Sequence, residues 1–115
     1  MDDENENEKV SKNIFIKHGH VLKRLRLNEI VWIKSDGNYC TFSLVDKKHV
    51  LKISLTRVLD GLPRDAFVQI HRSYAVRIDQ ITSIDIHENL IFIDGVSLPI
   101  GRKYKESFLA RINLI

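Results

Sequence analysis

His71, Arg72 and Ser73 stand together between two apolar runs, Phe67-Val68-Gln69-Ile70 and Tyr74-Ala75-Val76. Val68, Ile70, Tyr74 and Val76 keep a period of two, the pattern of a half-buried strand. The three polar residues therefore interrupt a strand pair at one point and gather strong hydrogen-bond donors there. An arginine is almost never fully buried unless paired. A rigid strand pair that holds Arg72 outward suits recognition of an anion or of a base edge. That is a binding signature rather than a catalytic one.

Other reactive side chains are sparse. His18 and His20 flank Gly19, and His49 and His87 are scattered, with no carboxylate or third histidine tied to them by spacing. No metal site, cofactor or enzymatic activity is expected from lone histidines. Cys40 is the single cysteine, which excludes an internal disulfide and a thiolate-rich zinc site. Its neighbours, Tyr39, Thr41 and Phe42, give it the setting of a small buried strand residue.

The elements that must position these groups read as mostly β. At 115 residues, 43% hydrophobic and 29% charged, the chain has the size and balance of one soluble domain. No apolar run approaches the ~20 residues of a membrane span and the start is acidic, so neither a span nor a signal peptide is expected and the location reads as cytoplasmic. Asp2, Asp3, Glu4, Glu6 and Glu8 crowd the first eight residues, and residues 1–12 read as a disordered acidic tail. Setting those five acids aside leaves 18 basic against 10 acidic side chains (15 less 5), a net +8 over residues 9–115. A basic domain over residues 13–115 favours a polyanionic partner such as nucleic acid.

Short strands with turn signals fill that domain. Ile14 and Ile16 precede a hairpin turn at His18-Gly19-His20, and Ile30–Ile33 leads to a turn at Asp36-Gly37-Asn38 before Tyr39–Val45. His49–Ile53, Ile81–Ile86, Leu90–Ile93 and Val96–Ile100 read as further strands. A short mid-chain helix is expected after Ser54, ending near Gly61 and Pro63. A C-terminal helix is expected from about Arg102 to Asn113, with Tyr104, Phe108, Leu109 and Ile112 on one face. Trp32, Phe42, Phe92 and Phe108 occupy core-like positions, while Tyr39, Tyr74 and Tyr104 lie far apart in the sequence.

Taken in order, these segments resemble a known family. Trp32-Ile33-Lys34-Ser35-Asp36-Gly37-Asn38-Tyr39, Ile53-Ser54-Leu55, Leu62–Val68, Ile70-His71-Arg72-Ser73-Tyr74-Ala75-Val76 and Leu98-Pro99-Ile100-Gly101-Arg102-Lys103-Tyr104 are together similar to the LytTR-type DNA-binding domain, an output module of bacterial response regulators in two-component systems. The resemblance covers roughly residues 14–113. It implies a mainly β fold of short antiparallel strands in small packed sheets, with one short mid-chain helix and one C-terminal helix. It further implies sequence-specific double-stranded DNA binding by a transcriptional regulator whose loops reach successive major grooves.

Carried onto this chain, the DNA-binding residues are Asn38, Tyr39, His71, Arg72, Ser73, Arg102 and Lys103. Their chemistry is suitable in itself. Arg72 and Arg102 can grip guanine O6 and N7 or straddle a phosphate, and Asn38 can pair with adenine. Asparagine beside a glycine is also a default turn residue that tolerates positive φ. Tyr39 can reach a phosphate or pack on the sheet, and His71 can donate to a phosphate or brace Arg72. Ser73 fixes local backbone, and Lys103 and Lys105 add sequence-independent attraction.

Three positions depart from the family pattern: Gln69 where arginine is frequent, Arg77 where asparagine is common, and Gly101 where serine is frequent. Losing a cation at Gln69 is expected to weaken phosphate contact or alter the preferred site. No receiver domain precedes the match, so the chain reads as a stand-alone regulator or a segment whose sensor or kinase partner lies elsewhere. Two copies binding paired direct repeats, as a homodimer on DNA, fit the resemblance. The competing reading is a small basic β adaptor that binds RNA or a protein partner.

Overall fold

The computed structural model describes residues 13–115; the acidic tail expected over residues 1–12 lies outside them. Among the described residues, ten strands form three antiparallel sheets. The first is a hairpin, β1 (Asn13–His18) with β2 (Val21–Arg26), turned at Gly19 (φ +64°). The central sheet has the order β5-β4-β3-β7-β6, from β3 (Ile30–Asp36), β4 (Tyr39–Leu44), β5 (Lys48–Leu51), β6 (Phe67–His71) and β7 (Tyr74–Arg77). The third joins β8 (Ile81–Asp85), β9 (Leu90–Ile93) and β10 (Val96–Pro99). The expected mainly β fold of small packed sheets is the one observed.

Each face of the central sheet has its own core. Ile33, Cys40, Phe42, Leu51, Phe67 and Ala75 turn to one side and pack with Ile16 and Leu25 of the hairpin and with the first helix. Val31, Val68, Ile70 and Val76 turn to the other and meet Ile91, Ile93, Leu98 and Phe108. Fully burying each such large side chain contributes roughly 1.5–3 kcal/mol. Strict alternation would serve only part of this pattern. A β-bulge between Ile30 and Trp32 inserts one residue opposite β4, so Ile30 and Ile33 share the first core while Val31 and Trp32 pack in the second.

Both expected helices exist, one shorter than its periodicity suggested. Helix α1 (Leu55–Asp60) starts where the Ser54 hydroxyl accepts the Arg57 backbone N–H at 3.2 Å and ends at Gly61. Helix α2 spans only Lys105–Leu109. Residues before it form a turn in which Tyr104 and Lys105 both donate to the Gly101 carbonyl, at 3.0 and 3.1 Å. After it, Arg111 and Ile112 bond back three residues, to Phe108 and Leu109, closing the helix with tighter turns. Arg102 thus sits in the turn ahead of the helix and not in its first turn.

Phe92 also departs from expectation. Ile91 and Ile93 point into the second core, so the intervening Phe92 faces outward and is 39% exposed. Arg77 is the reverse case, a charged side chain brought inside. Its Nη1 donates to the Leu27 carbonyl and its Nε to Asp79 Oδ1, both at 2.8 Å. It ties the end of β7 to the 3-10 turn Leu27–Glu29 that leads into β3.

Candidate nucleic-acid interface

The antiparallel pairing of β3 with β4, of β3 with β7 and of β7 with β6 brings two turns to the same end of the central sheet. The β3–β4 turn carries Asn38 and Tyr39; the β6–β7 turn carries Arg72 and Ser73. A backbone bond from the Ser35 N–H to the Ser73 carbonyl, 2.7 Å, joins them directly. The third segment arrives from the other sheet. Gly101 N–H donates to the Ile70 carbonyl at 2.7 Å, setting Arg102 beside the β6–β7 turn. Three segments distant in sequence share one end of the molecule.

The β6–β7 turn is built without the usual device. Two-residue hairpin loops favour positive φ, normally from glycine or asparagine. Among the described residues, Asn89 and Asp94 are the non-glycine positions with positive φ, so Arg72 and Ser73 keep ordinary backbone angles. Side chains stabilise the turn instead. His71 Nδ1 accepts the Ser73 N–H at 3.0 Å, Gln69 Nε2 donates to the His71 carbonyl at 3.2 Å, and a bulge lies between Gln69 and His71. Accepting at Nδ1 requires that nitrogen to be unprotonated. Gln69, singled out in the sequence as a departure from the family pattern, braces this turn.

Aromatic rings back it. The His71 ring meets Tyr74 edge-on at 5.6 Å, Tyr74 lies 6.2 Å from Trp32, and Lys48 Nζ sits 5.6 Å over the Trp32 ring. Such ring pairs contribute about 0.5–1.5 kcal/mol each beyond the area they bury. Gly101 permits the close approach of the third segment. A Cβ there would lie 3.3 Å from His71 Cα and 3.2 Å from a Tyr104 ring carbon, so the smallest residue fits at this crowded point.

The β3–β4 turn bears on one of the two readings of Asn38, its role as a turn residue. Gly37 takes the positive φ, +60°, and Asn38 does not, the pattern of a turn with glycine first. Backbone strain therefore gives no reason for asparagine at position 38. Asn38, Arg72, Arg102 and Lys103 are all exposed, and none makes a side-chain hydrogen bond or ion pair with another described residue. Tyr39 is 49% exposed at the edge of the same turn. His71 and Ser73 are half-buried supports. Asp36 is an exposed carboxylate nearby that opposes phosphate at its own position.

Two further residues belong to this end. Exposed Lys34 lies directly opposite Tyr74 in the β3–β7 register. Tyr104 packs against Gly101, so the tyrosines that are dispersed in sequence all fall within the three segments. The β3–β7 pairing joins strands far apart in the chain, and no local pattern signals it. Lys105, by contrast, is committed elsewhere: its Nζ donates to the Ile86 carbonyl at 2.7 Å. His18 and His20 are exposed at the hairpin turn, and no group of three metal-ligand residues occurs among the described residues.

Short antiparallel sheets that present exposed arginine and lysine side chains on loops at one end suit a polyanionic partner. Residues 20–113 match the family model described as the LytTr DNA-binding domain, and the chain belongs to that family. It is a family of DNA-binding domains, not of enzymes, with bacterial response regulators among its relatives. One relative is an uncharacterized response regulatory protein of Vibrio cholerae serotype O1, 28% identical over 97 residues. The alignment takes in 78% of this chain and 37% of that protein, so the chain spans little more than a third of the relative's length. A solved LytTr DNA-binding domain of a Bacillus cereus response regulator shares the fold, with a TM-score of 0.76 at 20% identity. That likeness covers 90% of this chain and 98% of the other. No helix among the described residues is long and apolar enough to cross a membrane.

Proposed function

We propose that residues 13–115 form a sequence-specific reader of double-stranded DNA in a bacterial transcriptional regulator, with loops reaching successive major grooves. The observation that carries this reading is the convergence of the Asn38, Arg72 and Arg102 segments at one end through the Ser35–Ser73 and Gly101–Ile70 backbone bonds. Arg72 and Arg102 are free to grip guanine edges and Asn38 an adenine edge, the contacts that specify sequence. Lys103 and Lys34 supply phosphate attraction, which dominates affinity and its salt dependence. His71, Ser73 and Gln69 hold the Arg72 turn, and Tyr39 offers its hydroxyl to a phosphate.

Two copies occupy adjacent direct repeats in this reading, and a separate sensor or kinase supplies the input. The Vibrio relative's description as a response regulatory protein supports that setting. The test is selection of bound sequences from a randomised duplex library at moderate salt. Enrichment of a short motif, repeated about one helical turn apart, is the expected result. Salt-sensitive retention without any motif would favour the RNA or protein adaptor reading, and no retention would exclude DNA binding by this chain alone.

A further inference from the structure

On the face of the central sheet turned away from β8–β10, a groove of about 660 Å³ opens between the β1–β2 hairpin, the end of β5 and α1. Its volume falls within the ~300–1,000 Å³ of small-molecule sites. Ile16, Phe42 and Val58 lie among its apolar walls, while Lys17, Lys52 and Arg57 line it with positive charge. No aspartate or glutamate is among its lining residues. None of the three cations makes an ion pair with another described residue. None of its lining residues belongs to the Asn38, Arg72 or Arg102 segments, so this groove is distinct from the proposed DNA-reading end.

Apolar walls and cations with no ionic partner among the described residues select different parts of one ligand. A nucleic acid would set charged phosphates and polar sugars against aliphatic side chains. A hydrocarbon chain buries well on that surface, and a single anionic head group answers the lysines and arginine. We propose that the groove binds a soluble amphiphilic carboxylate, one hydrocarbon chain with one anionic head, taken as a monomer from solution.

The test is an NMR titration of the isotope-labelled full chain with decanoate below its micelle concentration. Decanol, decyltrimethylammonium and phosphatidylglycerol vesicles serve as comparisons. Saturable binding is expected for decanoate, with amide shifts centred on Ile14–Lys17 and residues 51–61, weaker binding of decanol and none of the cationic chain. The double variant Lys52→Glu/Arg57→Glu, altered at two exposed positions, should keep its melting temperature and lose roughly tenfold in decanoate affinity. Decanol binding as tightly as decanoate, shifts spread over the whole surface, no saturation, or binding to vesicles alone would each overturn the proposal. The ligand series on the unaltered chain decides the matter even if the double variant is destabilised.

Discussion

Ser35 and Ser73 are joined by one short backbone hydrogen bond, the Ser35 N–H donating to the Ser73 carbonyl at 2.7 Å. It lies at the end of β3, one residue before the Asp36–Tyr39 turn, and within the turn that carries Arg72. The spacing between Asn38 and Arg72 is consequently set by sheet geometry rather than by two independently moving loops. Rigid placement of this sort lowers the ordering cost of binding.

If Arg72 and Arg102 each read a guanine, replacing either by alanine should cost ~1–3 kcal/mol at the selected sequence and little on random duplex. Lys103→Ala should weaken both sequences alike and lower the salt slope by about one. Fluorescence anisotropy on both duplexes at several salt concentrations separates the cases. An arginine variant that loses equally on both duplexes makes a phosphate contact instead.

His71 acts on the turn through its ring nitrogen. The Nδ1-to-Ser73 bond links a side chain to the backbone N–H two residues on, the geometry that asparagine adopts in an Asx turn. His71→Ala should therefore reduce DNA affinity although Arg72 is untouched. His71→Asn should recover most of it, losing only the contact with Tyr74. Equal affinities for the alanine and asparagine variants would show that the ring matters for packing or for a direct DNA contact, not as the acceptor.

The comparison of sequence with structure turns on range. The hairpin at Gly19, the Ser54 cap and the β-strand runs are local patterns, legible because turn chemistry and period-two alternation act over a few residues. The proposed DNA-reading positions come from ordered motifs, while their meeting at one end depends on the β3–β7 pairing and on the bond from Gly101 to Ile70. Lys34 was passed over for the same reason. The shortened α2 and outward Phe92 reflect tertiary packing that helical spacing and apolar character alone do not encode.

Cys40 gives the chain a pH-dependent element of stability. Burial pushes its thiol above the ordinary value of 9.0, and the hydrogen bond with Ser35 offsets part of that rise. A raised pKa in the folded state means the protonated thiol is favoured there. Its contribution is complete below pH 9.0 and is lost as pH climbs from there through the folded value. Urea midpoints should thus fall more steeply above pH 9 in the native chain than in Cys40→Ala. Parallel profiles would remove Cys40 from the account. The same burial should make the thiol slow to react with an aromatic disulfide reagent until the chain unfolds.

Arg77 should behave oppositely to the exposed arginines. Its guanidinium is largely buried and serves the Leu27 carbonyl, whereas its partner Asp79 is 75% exposed. An exposed carboxylate contributes at most about 1 kcal/mol to such a pair. The Leu27 carbonyl also accepts the Ile30 N–H, so what Arg77 adds is a second, charge-assisted hydrogen bond, a kind that contributes ~1.5–3 kcal/mol. Arg77→Met keeps the aliphatic stem and removes the donors, so it should lower the unfolding free energy by about 2 kcal/mol in urea titration. Asp79→Asn should lower it by less than ~1 kcal/mol. DNA affinity of the folded Arg77→Met protein should match that of the native chain, because the residue lies at the end of β7 away from Arg72. A large loss of affinity without loss of stability would move Arg77 from the scaffold to the interface.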